Sequence, residues 1–198
     1  MNRNIPDGLF DVFEKRIAQS NQAANCIFNK DARGLVVEAA RAMVHLQETN
    51  GDNRSAEIDL MHRVTGVGMG EPWCMSFVQS CLAYVERRIG IVSPLALDAA
   101  CVNVWNSSPK EMRVKSIPLA GAIVIWQNVK KPSRGHTGFV TDCDGTSLKT
   151  IEGNTSPSND PNSAVDSNGD GVFLCHRRWD IFNPDGKGKI LLGALKPY

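Results

Sequence analysis

The sequence predicts an α+β fold in which helices come first along the chain and an antiparallel sheet follows. Up to about residue 106, apolar residues recur at helical spacing, which indicates amphipathic helices. From about residue 121, short runs rich in β-branched residues replace them, separated by Gly, Asp and Asn. The connections between these runs are of hairpin length. We therefore expect helices packed on one antiparallel sheet of about five strands.

Composition and charge restrict the classes of function. The chain has 198 residues, 42% of them hydrophobic, and a net charge of +1. That composition supplies the core of one domain, and the scattered basic residues predict no nucleic-acid partner. No apolar run approaches the ~20 residues of a membrane span. The six cysteines are irregularly spaced without a CxxC pair, which argues against a disulfide framework and a structural zinc site.

The N-terminal sequence MNRNIPDGLFDVFEKR carries charges where a signal peptide needs an apolar centre. We therefore expect synthesis in the cytoplasm without a signal peptide. Residues 1–33 are weakly patterned and predict a partly helical N-terminal extension, either packed on the main domain or partly mobile. The main domain is predicted to span residues 34–198.

The expected elements follow from periodicity and from turn residues. Four helices are predicted at residues 35–47, from the N-cap Ser55 to about Arg63, from Cys74 to about Arg88, and at residues 95–106. Five strands are predicted at residues 121–126, 137–141, 148–152, 172–175 and 190–195. Residues 154–171 are polar throughout and predict one long loop.

Cys74 stands where the third of these helices begins. Gly70 and Pro72 break the preceding structure, and apolar residues follow Cys74 at spacings of three and four. A thiol in a first turn faces unpaired backbone N–H groups and the positive end of the helix dipole, which both favour the nucleophilic thiolate. The alternative interpretation is a small core residue, which is common for a single cysteine.

A nucleophilic thiol needs a base and a group that orients the base. His136 stands just before a predicted strand, between Gly135 and Thr137. After one hairpin, Glu152 ends the next predicted strand, and Asn154 follows it. Adjacent antiparallel strands bring such positions within side-chain reach. The residues alone thus predict Cys74 as nucleophile, His136 as base, and either Glu152 or Asn154 as the orienting group.

Several stretches resemble a known family. They are EPWC at residues 71–74, PLAGAIVIW at 118–126, GHTGFV at 135–140 and IEGNT at 151–155, preceded by ETNGDNR at 48–54. They resemble the CHAP domain, a family of cysteine- and histidine-dependent amidohydrolases and peptidases with a papain-like core. Many members hydrolyse bacterial peptidoglycan. The resemblance covers about residues 34–198 and implies a papain-like fold with the nucleophile at a helix N-terminus.

The resemblance also implies roles for single residues. Cys74 would be the nucleophile, His136 the base, Glu152 the third member of the triad and Asn154 a fourth, polar helper. The backbone N–H of Cys74 would be one oxyanion donor. Some family members place Gln before the nucleophile, where this chain has Trp73, so the second oxyanion donor is not identified. Some also carry an acidic calcium loop, for which residues 60–73 offer no counterpart.

Aromatic and basic residues near these motifs suggest substrate contacts. Trp73 and Trp126 could wall a cleft for sugars and peptide stems. Core packing is the competing interpretation, and it is favoured for Trp126. Arg134 and the neighbouring pair Arg177 and Arg178 could meet acidic groups on peptide stems, although the favoured interpretation is a solvated surface.

The loop before the fourth predicted strand contains a weak metal motif. Asp166, Asn168 and Asp170 match the first half of an EF-hand loop, but Arg177 stands at the twelfth position, where a carboxylate is expected. A plain turn is therefore favoured over a calcium site. We expect no cofactor.

The sequence thus predicts a cysteine-dependent amidase or endopeptidase that hydrolyses peptidoglycan through an acyl-enzyme. The bond would be the N-acetylmuramoyl-L-alanine amide or one in the stem or cross-bridge. The alternatives are a cysteine protease or acyl transferase acting on protein, and a non-catalytic wall-binding module. A monomer is expected, acting on the wall in the periplasm or outside after release or non-standard secretion. A holin, secretion machinery or an immunity protein would be its partner.

Overall fold

The computed structural model describes residues 3–49, 51–166, 168–181, 183–185 and 188–198. Six helices come first: α1 (Asp7–Ile17), α2 (Asn21–Phe28), α3 (Ala32–Ala42), α4 (Ala56–Thr65), α5 (Cys74–Ile89) and α6 (Cys101–Ser107). Six strands follow: β1 (Arg113–Val114), β2 (Ile123–Asn128), β3 (Gly135–Cys143), β4 (Ser147–Thr155), β5 (Gly171–Arg178) and β6 (Lys189–Leu195).

The strands form one antiparallel sheet in the order β1-β6-β2-β3-β4-β5. The predicted α+β class is confirmed, with helices before the sheet, and each of the five predicted strands is present. The sequence analysis missed β1. Its two residues are too few to show a periodic pattern, and only its pairing with β6 defines it.

Three predicted helix boundaries are wrong, and one of them is the end of α3, which lies at Ala42 rather than at residue 47. Helix α3 begins at Ala32 rather than at residue 35, because the side chain of Asp31 caps it by accepting from the N–H of Gly34. Glycine is required at position 34 of this helix, because a Cβ there would lie 2.7 Å from the sulfur of Cys26. The helix predicted over residues 95–106 is confined to α6, whereas the Ser55 cap and its helix are confirmed.

Helix α5 is the centre of the molecule. Every residue from Cys74 to Glu86 is buried, so the helix is covered all round rather than on one face. The N-terminal helices supply part of that cover: Leu9 and Phe13 are fully buried in the same core, and Phe13 stacks on Tyr84 with ring centroids 4.9 Å apart. Residues ahead of position 34 therefore share the core of the domain.

The sheet has a core on each face. The face toward α5 contributes Ile125, Phe139 and Ile151, and the opposite face packs Val124 and Trp126 into a smaller cluster. Within the part of the chain that is described, none of the helices combines the length and the apolar character that crossing a membrane requires.

Candidate active site

Cys74 is the first residue of α5, and no side chain caps that end of the helix. The preceding residue, Trp73, has φ −117° and ψ 11°, outside the helical region, and turns the chain into the helix. The first N–H groups of a helix have no intrahelical partner, so the sulfur stands beside free donors and the positive end of the dipole. The backbone N–H of Met75 is one of them, and it lowers the pKa of the Cys74 thiol.

The register of β3 and β4 brings His136 and Glu152 together. Glu152 pairs with Gly138, and His136 lies two residues earlier on the same face of β3. A Cβ at Gly138 would lie 2.5 Å from Cγ of Glu152, so only glycine leaves room for the carboxylate beneath the ring. The result is a hydrogen bond of 3.0 Å between Nε2 of His136 and Oε2 of Glu152, both fully buried.

Arg177 on β5 completes this buried network. It opposes Leu148 of β4 and therefore shares the face that carries Glu152. Its Nε donates to Oε1 of Glu152 over 2.9 Å and a terminal nitrogen donates to Oε2 over 2.7 Å, a two-pronged ion pair. The side chain is 1% exposed. The predicted solvated role is thus wrong for Arg177, whereas its neighbour Arg178 is exposed.

Opposite charges set the protonation states in this network. Burial alone would raise the pKa of Glu152, but the charge of Arg177 and hydrogen bonds from His136 and Arg177 hold it well below its usual range. Burial would lower the pKa of His136, but Cys74 and the Glu152 carboxylate outweigh it and raise that pKa from 6.5 to about 9. The ring is therefore an imidazolium at neutral pH, held by an ionised carboxylate.

The sulfur of Cys74 has a second thiol beside it. Sγ of Cys74 lies 3.7 Å from Sγ of Cys101, the first residue of α6, and both cysteines are free. A hydrogen bond from the Cys101 thiol, with His136 and the Met75 N–H, outweighs burial and holds the pKa of Cys74 well below its ordinary value. These contacts favour the thiolate form of Cys74. The sequence analysis missed Cys101, which reads as an apolar helix residue 27 positions away.

Of the two ring nitrogens of His136, Nδ1 is the one available to Cys74. Since Nε2 is bound to Glu152, Nδ1 is the atom left for the sulfur, and it has no hydrogen-bond partner of good geometry among the described residues. The ring is nevertheless close enough for Cys74 and His136 to shift each other's pKa. The three predicted residues therefore converge in space: thiolate, imidazolium and carboxylate in that order.

A family comparison agrees with this geometry. The family model described as the CHAP domain matches residues 66–154. Residues 66–154 are therefore similar to a CHAP domain. The match runs from the loop after α4 to β4, so it includes Cys74, His136, Glu152 and Asn154, whereas Arg177 lies beyond it. A CHAP domain implies activity of the peptidoglycan hydrolase or amidase type, with peptidoglycan as substrate. Comparisons with curated proteins and with solved structures gave no significant match.

Asn154 holds the backbone just before Cys74. Its φ is +56°, a left-handed conformation that Asn tolerates better than most residues. With the amide turned to satisfy its neighbours, the oxygen accepts from the backbone N–H of Trp73 over 3.1 Å and the nitrogen donates to the carbonyl of Gly169 over 2.8 Å. Asn154 thus holds the residue before Cys74, whereas Glu152 is the group bonded to His136.

The two tryptophans proposed as cleft walls are buried. Trp73 has no exposed surface, and its ring N–H donates to Oε1 of Glu48 over 3.0 Å, so it has no face to offer a sugar. Trp126 is 3% exposed and stacks on His136 with centroids 5.9 Å apart. It is the strand partner of His136 and packs against the side of its ring. The cleft-wall hypothesis therefore fails for Trp73, and Trp126 packs as core.

The candidate calcium loop forms turn contacts. The carboxylate of Asp166 accepts from the hydroxyl of Ser156 over 2.9 Å and from the N–H of Asn168 over 3.2 Å. Asp170 contributes its carbonyl to the N–H of Glu48 over 2.7 Å. Residue 167 of this loop lies outside the described residues. Within those that are described, no group of three or more His, Cys, Asp or Glu side chains could hold a metal ion.

Proposed function

We propose that the protein is a cysteine hydrolase that cleaves an amide bond of bacterial peptidoglycan. The bond is either the N-acetylmuramoyl-L-alanine amide or an amide of the stem or cross-bridge. The observation that carries the proposal is the hydrogen bond between His136 and Glu152, which leaves Nδ1 of the ring for the thiol at the start of α5. Nucleophile, base and orienting group are the parts that thiol catalysis of amide cleavage requires.

Acylation follows from the charge states of these groups. The Cys74 thiolate attacks the amide carbon, and the negative charge that develops on oxygen is stabilised by free N–H groups at the helix start, including that of Cys74. The imidazolium of His136 gives its proton to the amide nitrogen, so the amine leaves and a thioester remains on Cys74. Glu152 keeps the ring oriented while it changes charge.

Deacylation uses the same ring in the opposite sense. The neutral His136 takes a proton from water, and the resulting hydroxide attacks the thioester carbon. The thiolate leaves, the acid product is released, and the ion pair of Cys74 and His136 is restored. The carboxylate of Glu152 stabilises the imidazolium each time it forms.

Access to the sulfur requires local movement. Cys74 is 5% exposed and His136 is fully buried, so a substrate carbonyl reaches the sulfur only when the atoms over it are displaced. One side chain in contact with the sulfur is Cys101, which begins the short helix α6. Displacement of α6 and of the irregular residues 90–100 before it therefore accompanies substrate binding in this mechanism.

Digestion of purified sacculi tests the proposal. The wild-type protein is expected to release soluble fragments, whereas Cys74→Ala and His136→Ala release none at an unchanged circular dichroism spectrum. Cys143→Ser is the matched control, since Cys143 lies on β3 away from the site and only half-buried. Mass spectrometry of the fragments names the bond that is cut. Full activity in a folded Cys74→Ala protein would end the hypothesis.

Two further arms separate the alternative activities. Cleavage of a protein panel with intact sacculi would indicate a protease or acyl transferase acting on protein. Failure of an alkylating probe to label Cys74 ahead of the other five cysteines would indicate a wall-binding module without catalysis.

A further inference from the structure

The contact between Cys74 and Cys101 has no part in the triad. The two sulfurs are 3.7 Å apart, and the side chains are 5% and 3% exposed. A catalytic triad needs one thiol, and a small apolar side chain at position 101 would fill the same space. Cys101 instead places an S–H donor directly against the nucleophile.

The surroundings of the pair favour opposite protonation of its two members. His136 and the N–H of Met75 act on Cys74, whereas the charged group that acts on Cys101 besides Cys74 is the carboxylate of Asp98. The hydrogen bond to Cys74, burial and the charge of Cys74, with a further contribution from Asp98, raise the pKa of Cys101 well above its ordinary value. The two sulfurs, 3.7 Å apart, are thus shifted in opposite directions, which favours a thiolate on Cys74 and a thiol on Cys101, the arrangement required for thiol–disulfide chemistry.

We propose that Cys101 positions Cys74 through this direct thiol contact and forms a reversible disulfide with it when a hydroperoxide oxidises the site. The effect on activity rests on the proposed function, but the disulfide itself does not. Reduced, the pair leaves Cys74 nucleophilic. Oxidised, the pair has no nucleophile, so a hydrolase of the cell wall would be switched off by oxidants and restored by thiols.

The oxidation balances with the hydroperoxide as sole co-reactant. The Cys74 thiolate attacks the terminal oxygen, the O–O bond breaks, and the alkoxide or hydroxide takes a proton, leaving a sulfenic acid on Cys74. The sulfur of Cys101 then attacks that sulfur, the S–O bond breaks, and water leaves with the proton of Cys101. Two thiols lose two electrons, and the peroxide is reduced to an alcohol or water plus a second water.

The geometry permits the bond after a small shift. A disulfide has sulfurs about 2.05 Å apart, whereas the reduced pair is separated by 3.7 Å. Cys101 begins a helix of seven residues, and the ten residues before it, 91–100, contain no helix or strand. A change of the side-chain torsion of either cysteine, with a shift of the first turn of α6, can close that gap.

Mapping of disulfides after oxidation tests the bond. The full chain is treated with hydrogen peroxide, blocked with iodoacetamide and digested without reduction, and linked peptides are identified by mass spectrometry. A Cys74–Cys101 peptide is expected to appear before oxidation of Cys143, although Cys143 is half-buried and the other five cysteines are buried. Oxidation of Cys143 first, with Cys74 and Cys101 still alkylated singly, would overturn the proposal.

Variants of Cys101 test reversibility. After peroxide, wild-type protein and Cys143→Ser are expected to regain activity on sacculi with dithiothreitol. Cys101→Ser has no resolving thiol, so its Cys74 proceeds to sulfinic acid and is not restored. Each protein is compared with its own untreated sample. Equal recovery of Cys101→Ser and wild type contradicts the proposal, whereas inactivity of untreated wild type contradicts only the proposed function and leaves the peptide map decisive.

The positioning role has its own measurement. The rate of iodoacetamide labelling at Cys74 is followed against pH. Cys101→Ala lacks the donor, so the midpoint is expected to rise by about one pH unit or more. Cys101→Ser keeps a hydroxyl donor and is expected to stay near wild type. Identical midpoints in the three proteins would show that Cys101 only fills space.

Discussion

Two buried arginine–glutamate pairs stand at opposite ends of the molecule. Arg177 joins β5 to Glu152 on β4, and Arg3 joins the N-terminal segment to Glu86 near the end of α5. All four residues are buried, and each pair is hydrogen-bonded. Charge and burial are therefore the same at the two places.

The remaining partners differ. Glu86 accepts from the backbone N–H groups of Arg3 and Ser93, and Arg3 donates to the carbonyl of Leu95 over 2.7 Å. Those partners cannot titrate. Glu152 instead accepts from the ring of His136, a titratable group whose pKa is raised to about 9. A buried ion pair acquires chemistry only when its carboxylate is shared with a group that exchanges a proton.

The largest contrast is expected from removal of each carboxylate. Glu152→Ala and Glu86→Ala each leave a buried arginine unpaired, which costs about 3–5 kcal/mol of folding stability. Glu152→Ala also loses at least about 10²-fold in kcat, because His136 is no longer oriented. Urea unfolding and sacculus digestion per folded molecule measure the two effects. Glu152→Gln keeps volume and one acceptor, so it tests the role even if the alanine variant does not fold.

Removal of either arginine is expected to lower folding stability by a similar amount, but only removal of Arg177 is expected to lower activity. Arg177→Met and Arg3→Met leave a buried carboxylate uncompensated, again at about 3–5 kcal/mol. Arg177→Met should also lower kcat with little change in KM, because the charge that keeps Glu152 ionised is lost. Arg178→Gln is the exposed neighbour and should stay within about 0.5 kcal/mol of wild type. If Arg3→Met lost as much kcat as Arg177→Met, the two ion pairs would not differ in their effect on catalysis.

The pH dependence distinguishes the pairs through His136. Its pKa is raised from 6.5 to about 9, so its contribution to stability is complete below 6.5 and lost as pH rises through 9. The alkaline limb of kcat should lie near pH 9 for the same reason. Glu152→Gln removes the charge that helps to raise that pKa, so the limb should move to lower pH, whereas Glu86→Gln should leave it in place. Rate profiles between pH 6 and 10 give the comparison.

The smallest effects are expected from the neutral partners. Thr155 accepts from Arg177 over 3.2 Å, and the side-chain oxygen of Gln79 accepts from Arg3. Thr155→Val removes an acceptor of Arg177, and Gln79→Leu removes the acceptor of Arg3 Nε and the donor to the carbonyls of Ala96 and Asp98. Each lost buried hydrogen bond costs about 1–3 kcal/mol. Thermal unfolding at pH 7 measures the cost. Thr155→Val should also lower kcat slightly, and an unchanged kcat would limit the network to Arg177, Glu152 and His136.

The sequence was sufficient where function depends on positions at element ends. Cys74 follows a Gly-Pro break, and His136 and Glu152 lie one hairpin apart, so local patterns predict their convergence. Arg177 could not be found that way, because a basic pair at the end of a strand is usually solvated. Only the register of β4 against β5 shows that Arg177 faces Glu152, 25 residues away.

Long-range contacts also explain why the sequence analysis did not predict the roles of Trp73 and Cys101. Trp73 precedes the nucleophile, where an aromatic residue suggests a substrate wall, but its partner Glu48 belongs to a loop 25 residues upstream. Cys101 has a helical, apolar neighbourhood in sequence and gains its meaning from a sulfur on another helix. Periodicity reports which face of an element is buried, but it does not report which element covers that face.

The burial of α5 on every side has a consequence for the use of this domain in fusion proteins. The family match begins at residue 66 and ends at residue 154, whereas α1 to α4 and β5 and β6 lie outside it. A fragment limited to the matched residues would expose the apolar surface of α5 to water and would therefore be prone to aggregate. A fusion protein that uses this domain should therefore include the flanking helices and strands, because the matched residues alone are fewer than the residues that fold as a unit.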